Sequence, residues 1–311
     1  MDNAYILISA CRNEEDYVEG LIDCVAAQTR QPLRWLIIDD GSTDDTYGRA
    51  ITYGRTLPFL QVVKMPSRVT RSFTSQVYAA QHGYELSKAL DFDFVGFVDA
   101  DIRFLPNYYA QLLNFFQSDP RLGLSGGLVL DQYDDRIEDT RRGSEDFHVP
   151  GGVQLFRREC FEQIGGYHPI DGGGQDTIAD VMAMMHGWTI RVFPQLEVIH
   201  LRPEGANAGS VFKRGMNWGR KFYLLGYHPL FYCGQCIRRI SRRPIVIGSI
   251  FQLLGFAVAS VKSEPRPVSA EFVRFQRNVQ RQRMFSKILS KRKIFDKRRT
   301  AERGPRSHEI V

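Results

Sequence analysis

Cysteine is scarce in this chain and gives no sign of a disulfide framework. The 311 residues include five cysteines, an odd number, and the first residues lack the basic stretch that opens a secretory leader. This pattern predicts a reducing, cytoplasmic location. Cys233 and Cys236 have the spacing of a redox or zinc pair, but no second pair accompanies them, so we interpret them as incidental.

Long hydrophobic runs are also missing, with one marginal exception. Residues 244–261 form an uncharged stretch of eighteen residues. As a helix it would be about 27 Å long, slightly less than the roughly 30 Å of a bilayer hydrocarbon core. Because basic residues flank it on both sides, we expect it to lie in the membrane interface rather than to span the bilayer. The alternative is a buried helix that packs on the rest of the protein.

Acidic residues are few at the C-terminal end. Residues 262–311 contain fifteen lysines and arginines against five acidic residues, whereas the whole chain has a net charge of only +6. Between residues 271 and 289, apolar and basic residues are interspersed, which is typical of a basic amphipathic helix on an anionic membrane surface. No known nucleic-acid-binding module is visible, so we expect no nucleic-acid partner.

The remainder has the composition and pattern of a globular α/β protein. Hydrophobic residues make up 43% of the chain, enough for a substantial core. Short apolar runs alternate with segments of helical periodicity, which predicts a mainly parallel sheet with helices on both faces and ligands at the carboxyl ends of its strands. We expect strands at 5–8, 35–38, 60–63, 94–98, 122–130, 188–193 and 196–200, and helices at 13–28, at 73–90, from 106 and at 177–185.

Carboxylates follow two of the predicted strands. Asp40 comes after the second, and Asp99 and Asp101 follow the apolar run that begins at Phe94. On extended backbone the side chains of Asp99 and Asp101 leave on one face and could hold a Mg²⁺ or Mn²⁺ ion together. More often, an isolated Asp-x-Asp pair has no function and is only the solvent-exposed end of a strand. Two acidic clusters that converge on one sheet edge favour a functional site.

Two further residues allow a structural and a functional interpretation. Asp176 follows a glycine-rich segment and begins a helix, where an acid is ordinarily a cap but could also act as a general base. His200 ends a predicted strand, where a lone histidine is either structural or a ligand.

The order and spacing of several motifs resemble the family 2 glycosyltransferases, which are inverting nucleotide-sugar enzymes of the GT-A fold. The resemblance extends from about Tyr5 to His200. It rests on the motifs at residues 10–15 (ACRNEE), 37–44 (IIDDGSTD), 98–101 (VDAD), 151–152 (GG), 164–167 (IGGY) and 174–176 (GQD).

The resemblance implies a role for each matching residue. Asp176 would deprotonate the acceptor hydroxyl. Three residues would hold a Mg²⁺ or Mn²⁺ cofactor, namely Asp99, Asp101 and His200. The nucleotide pocket would be lined by Ala10, Arg12, Glu14, Asp40 and Arg71.

The chain departs from the family pattern at two points. Gln175 replaces the usual glutamate before the presumed base. The Gln-x-x-Arg-Trp motif of processive cellulose and hyaluronan synthases is also missing, so we expect the transfer of one sugar rather than polymer extrusion.

These observations predict a GT-A catalytic domain at residues 1–205, with a nucleotide-binding half at 1–101 and an acceptor half at 102–205. Residues 206–311 would form a helical, basic, membrane-associating extension. The expected enzyme is a metal-dependent inverting hexosyltransferase of polysaccharide or glycoconjugate synthesis, peripheral on the inner face of the cell membrane. It would move one sugar from a nucleotide-sugar, with a UDP-sugar favoured, to a saccharide or lipid-linked acceptor.

Two alternatives stay open. One is a noncatalytic scaffold on the same fold that binds nucleotide-sugar or membrane. The other is a sugar nucleotidyltransferase, although that class normally has a glycine-rich, basic phosphate loop after the first strand, and the sequence after Ile8 does not have this character.

Overall fold

The chain divides into two compact units, Met1–Ser210 and Val211–Val311. The computed structural model describes residues 3–66, 73–133, 136–139, 148–170, 172–202, 210–238 and 247–285. The strands are β1 (Tyr5–Cys11), β2 (Arg34–Asp39), β3 (Leu60–Lys64), β4 (Phe94–Val98), β5 (Ile102–Phe104), β6 (Leu122–Tyr133), β7 (Arg136–Glu138), β8 (Val153–Arg157) and β9 (Thr189–His200). The helices are α1 (Val18–Ala26), α2 (Thr46–Gly54), α3 (Phe73–Ser87), α4 (Tyr108–Ser118), α5 (Arg158–Gln163), α6 (Gln175–Met185), α7 (Val211–Leu224), α8 (Pro229–Arg238) and α9 (Ile247–Val261).

The first unit is built on one mixed sheet. In the described part of the chain its strand order is β3-β2-β1-β4-β8-β6-β9-β5, and β7 pairs with β6 off this path. The first four strands are parallel, and so are β6 and β9, whereas β8 runs antiparallel to both of its neighbours. The parallel strands bring the carboxyl ends of β1, β2 and β4 to one edge of the sheet.

Helices cover both faces of this sheet. Along β1, Tyr5 and Leu7 face a core shared with α1 and α4, and Ile6 and Ile8 face a second core shared with α3, α5 and α6. Burial on both faces explains why the central strands are continuous apolar runs rather than alternating ones. The predicted fold, a mainly parallel α/β sheet flanked by helices with a helical extension after it, is confirmed.

Several predicted elements differ from the structure in their limits. The helix expected at Asn13 begins at Val18, because Asn13 has a φ of 56° and its side-chain oxygen accepts a hydrogen bond from the N–H of Thr43 at 2.8 Å. The segment after β1 is therefore a loop tied to the loop after β2. The two strands expected at 188–193 and 196–200 are one strand, β9, whose pairing with β6 shifts register between Gly127 and Leu128.

The second unit is helical. It contains α7, α8 and α9, and residues 270–285 are also helical. The backbones of α7 and α9 are in direct contact, because a Cβ atom at Gly219 would lie 2.0 Å from the carbonyl oxygen of Gln252 and one at Gly255 would lie 2.2 Å from that of Met216. None of the helices described is both long enough and apolar enough to cross a membrane.

Candidate active site

The ends of β1 and β2 form the first part of the candidate site. Asp40 is buried, and its N–H donates to the carbonyl oxygen of Cys11 at 2.9 Å. Arg12 Nη1 lies 3.8 Å from Asp40 Oδ2, and Ala10, near the end of β1, pairs with Ile38 of β2. Asp40 Oδ1 is buried without a hydrogen-bond partner among the described residues. A buried acceptor of this kind is costly unless a ligand donates to it.

The end of β4 positions the paired carboxylates. The N–H of Asp99 donates to the carbonyl oxygen of Gly152 at 3.1 Å, and its Oδ1 accepts a hydrogen bond from Gln76 Nε2 at 3.1 Å. A Cβ atom at Gly152 would lie 3.0 Å from Asp99 Oδ2. The glycine therefore allows the chain before β8 to pass close to this carboxylate.

Arg202 joins Glu14 to Asp101. Its Nη2 lies 2.8 and 2.9 Å from the two carboxylate oxygens of Glu14, and its Nε donates to Asp101 Oδ2 at 3.1 Å. The same guanidinium lies over the ring of Tyr17, 5.2 Å from its centroid. Glu14 is thus held next to the paired carboxylates although it is 85 or more residues away from them in the sequence.

His200 lies between two carboxylates at the end of β9. Its Nδ1 lies 2.7 Å from Asp131 Oδ1 and its Nε2 lies 3.5 Å from Asp101 Oδ2. The pairing of β9 with both β5 and β6 produces this arrangement, since His200 stands opposite Ile102 on one side and Asp131 on the other. Burial lowers the pKa of His200, but the two carboxylates outweigh it and raise the pKa to about 9.

The paired carboxylates have different electrostatic environments. Burial and the negative charge of Asp101 raise the pKa of Asp99. Burial also acts on Asp101, but hydrogen bonds and positive charge from His200 and Arg202 outweigh it and lower the pKa of Asp101. The cations of His200 and Arg202 therefore stabilise the ionised form of Asp101 most, whereas ionised Asp99 lies in a buried and negative environment that disfavours its charge.

This set of donors fits a hard divalent cation. Among the described residues, no group of three or more His, Cys, Asp or Glu side chains stands in a metal-binding arrangement. Mg²⁺ commonly takes only one or two carboxylates from the protein and completes its shell with water and substrate phosphates. The oxygen donors Asp99 and Asp101 are suited to that kind of site, because a cation would stabilise the ionised form of both carboxylates.

Asp176 lies beside the same glycine pair. It is the second residue of α6, which follows Gly174 with a φ of 113°. Its Oδ1 accepts a hydrogen bond from the N–H of Thr177 at 2.7 Å, and a Cβ atom at Gly151 would lie 3.3 Å from the Cβ of Asp176. Asp99 packs against Gly152 and Asp176 packs against Gly151. The two aspartates, which are far apart in sequence, therefore contact neighbouring residues of the same backbone segment.

His148 connects Asp176 to a buried acid. Its Nδ1 lies 2.7 Å from Asp180 Oδ2 and its Nε2 lies 3.6 Å from Asp176 Oδ2. The other oxygen of Asp180 accepts a hydrogen bond from the N–H of Val149 at 3.3 Å. Burial raises the pKa of Asp180 to about 6, although the neighbouring His148 lowers it.

The structure brings most of the predicted site residues to one edge of the sheet. Arg71 lies outside the described residues, and the functional role of every other site residue stays a prediction. Four residues that were not predicted contact the predicted ones, namely Gln76, Asp131, His148 and Arg202, and a fifth, Asp180, contacts His148. Only Arg202 had a usable signal, since it follows His200 by two residues at the end of a strand.

Comparisons with known proteins show the family of this chain. The model of the glycosyl transferase family 2 matches residues 6–168, more than half of the chain. No curated protein is significantly similar in sequence.

Three solved structures share the fold. The mannosyltransferase PcManGT from Pyrobaculum calidifontis, in complex with GDP-Man and Mn²⁺, is 17% identical with a TM-score of 0.57, over 86% of this chain and 76% of that one. GalNAc-T7 with UDP, GalNAc and Mn²⁺ is 17% identical with a TM-score of 0.53, over 70% of this chain and 47% of that one. TarS 1–349 from S. aureus is 13% identical with a TM-score of 0.52, over 84% of this chain and 72% of that one. The chain has the GT-A fold and belongs to glycosyl transferase family 2, and it is therefore a glycosyltransferase.

Proposed function

We propose that this enzyme transfers one hexose from a nucleoside-diphosphate-sugar, with a UDP-sugar favoured, to a saccharide or lipid-linked saccharide, with inversion at the anomeric carbon. The observation that carries the proposal is the placement of Asp99 and Asp176 against the consecutive glycines 152 and 151. A donor diphosphate near the first carboxylate and an acceptor near the second would place the sugar between them.

The nucleotide end of the donor is assigned to Arg12 and Asp40. The unpartnered Oδ1 of Asp40 is a buried acceptor that can receive a hydrogen bond from a base or a ribose hydroxyl. Two structures of the same fold contain a nucleotide or nucleotide-sugar together with Mn²⁺, one with GDP-Man and one with UDP. The nucleotides in these two structures have different bases, guanine and uracil, so the structures do not favour one donor. The preference for a UDP-sugar therefore has to be tested by experiment.

The proposed reaction is a single displacement. Asp99 and Asp101, with His200 beside them, would hold Mg²⁺ or Mn²⁺, which when bound neutralises the charge that develops on the leaving diphosphate. Asp176 accepts the proton of the acceptor hydroxyl. The bond between the anomeric carbon and the phosphate oxygen breaks as the acceptor oxygen bonds to the opposite face of that carbon, which inverts its configuration.

We also propose that the second unit holds the enzyme on an anionic membrane, at the inner face of the cell membrane where a lipid-linked acceptor would lie. One face of α9 packs on α7 through its small residues, and another exposes Ile247, Ile250, Leu254 and Val261. The described part of this unit contains eleven lysines and arginines and two glutamates. Exposed apolar side chains within a basic unit suit the surface of an anionic bilayer.

Vesicle sedimentation tests the membrane proposal. The full chain should bind vesicles that contain phosphatidylglycerol and should bind vesicles of phosphatidylcholine alone more weakly. Leu254→Glu should weaken binding, whereas Leu86→Glu, at an exposed leucine of α3, should not. Equal binding by the two variants, or no binding by the unchanged protein, would refute this proposal.

A turnover assay tests the catalytic proposal. Release of nucleoside diphosphate is measured with UDP-glucose, UDP-N-acetylglucosamine, GDP-mannose and dTDP-rhamnose, with Mn²⁺ and a panel of saccharide acceptors. Asp176→Asn should bind the donor but lose turnover by about 10²-fold or more. Asp91→Asn, at an exposed aspartate before β4, is the matched control and should behave like the unchanged enzyme.

The same assay separates the alternatives. A noncatalytic scaffold would bind a nucleotide-sugar without releasing nucleoside diphosphate. A nucleotidyltransferase would instead release pyrophosphate from a nucleoside triphosphate and a sugar phosphate. Turnover by Asp176→Asn equal to that of the unchanged enzyme would show that the base is misassigned.

A further inference from the structure

We infer that His148, held by Asp180, is a positioning residue that acts through Asp176, from which it takes the acceptor's proton and passes it to solvent. This inference rests on the proposed role of Asp176 as the base. It concerns residues that lie outside the motifs of the sequence analysis.

The geometry sets the orientation of the imidazole. Asp180 is 1% exposed, and its Oδ2 lies 2.7 Å from His148 Nδ1. An ionised carboxylate is only an acceptor, so Nδ1 carries the proton in this contact and Nε2 of the neutral ring is left as an acceptor. That nitrogen faces Asp176 Oδ2 at 3.6 Å.

The separation of 3.6 Å is longer than a hydrogen bond, and it can close once Asp176 has taken the proton of the acceptor and can donate it to Nε2. Catalytic hydrogen bonds are often long in ligand-free structures and shorten when substrate binds. The buried carboxylate of Asp180 has a pKa of about 6 and is therefore ionised at neutral pH, as the contact with Nδ1 requires.

The proton balance of the step is complete. The acceptor hydroxyl loses its proton to Asp176 as its oxygen bonds to the anomeric carbon, and the diphosphate leaves with the electron pair of the broken bond. Asp176 then passes the proton to Nε2 of His148, whose side chain is 31% exposed, and the ring releases it to water. The carboxylate is restored for the next turnover, and no redox partner is needed.

A purely structural role makes a different prediction. Asp180 also accepts the N–H of Val149, so the contact could serve only to anchor the segment that leads to Gly151. An anchor would affect folding and donor binding along with turnover. A relay would affect turnover while donor binding stays unchanged.

Kinetics of His148→Gln, His148→Ala and Asp180→Asn test the inference. His186→Gln is the matched control, because His186 is exposed and its ring hydrogen-bonds to the carbonyl oxygen of Met182, away from the carboxylates of the site. The assay measures release of nucleoside diphosphate from the fastest donor of the panel, and calorimetry measures donor affinity with Mn²⁺. We expect kcat to fall about 10- to 100-fold in His148→Gln and Asp180→Asn, with donor Kd unchanged. Added imidazole should restore part of kcat to His148→Ala.

The outcomes distinguish this inference from the function on which it rests. If Asp176→Asn retains turnover, the base assignment and the relay are both wrong. If Asp176→Asn loses turnover while His148→Gln keeps a normal kcat, only the relay is wrong. Loss of donor binding or of thermal stability in His148→Gln, without imidazole rescue of His148→Ala, would assign the contact to anchoring and also overturn the relay.

Discussion

Replacement of Arg202 by alanine should destabilise the first unit and at the same time increase its response to metal. In the native site, one guanidinium contacts Glu14 at 2.8 and 2.9 Å and Asp101 at 3.1 Å. Arg202→Ala would leave both buried carboxylates without this partner. His200 would remain near Asp101.

The magnitude follows from these contacts. A hydrogen bond to a charged group contributes about 1.5–3 kcal/mol, and removal of one partner from a fully buried pair costs about 3–5 kcal/mol. Arg202 is 26% exposed, so water partly replaces it, and we expect a loss of about 2–4 kcal/mol in the free energy of unfolding. For a unit of this size, that loss corresponds to a fall of roughly 5–15 °C in Tm.

Mn²⁺ should reverse part of this loss. The variant has one positive charge fewer beside the candidate ligands, so it should bind the cation more tightly when no donor is present. A ligand at one hundred times its Kd stabilises the folded state by about 2.7 kcal/mol.

Differential scanning fluorimetry with and without Mn²⁺ measures both effects, with Arg121→Ala as the control because Arg121 is exposed at the opposite end of β6. A Tm increase with Mn²⁺ that is no larger in Arg202→Ala than in the unchanged enzyme would refute the reasoning.

Three other predictions concern packing and protonation. Gly219→Ala should lower the free energy of unfolding by about 1–3 kcal/mol or more, because its Cβ would overlap the backbone of α9, whereas Gly234→Ala, which meets nothing within 4 Å, should be neutral or stabilising in urea unfolding. Gly152→Ala should weaken Mn²⁺-dependent donor binding in calorimetry, because its Cβ would press on the carboxylate of Asp99, and unchanged affinity would contradict the close packing. Burial raises the pKa of Asp180 from 3.8 to about 6, so its contribution to stability is greatest below pH 4 and is lost as the pH rises through 6. The unfolding free energy of the unchanged enzyme relative to Asp180→Asn should therefore fall by roughly 3 kcal/mol between pH 4 and 7 in urea titrations, and a constant difference would contradict the assignment.

The sequence predicted the parts of the site that depend on local pattern. The apolar runs predicted the central strands. Asp40 and Asp99 directly follow two of these strands, and the carboxyl ends of parallel strands lie at the same edge of the sheet, so both residues were expected at that edge. The glycine-rich segment before Asp176 was expected to lead into a helix, and the structure has a left-handed Gly174 directly before α6.

The rest of the site depends on pairings that one sequence does not reveal. Asp131 reaches His200 only because β6 and β9 are neighbours, and nothing local to residue 131 indicates this. His148 meets Asp180 across an interval of 32 residues, and nothing local to either residue indicates this contact. The late start of α1 has a similar cause, since hydrogen bonds between the loops at Asn13 and Thr43 override a sequence that favours a helix start.

The most direct test of the central claim is calorimetric titration of the full chain with the donor panel, with and without Mn²⁺. At least one nucleotide-sugar, with a UDP-sugar favoured, should bind in the presence of Mn²⁺, and Asp99→Asn should lose this metal-dependent binding while Asp91→Asn keeps it. If no nucleotide-sugar binds under any metal condition, or if Asp99→Asn binds as the unchanged enzyme does, the proposed site is wrong.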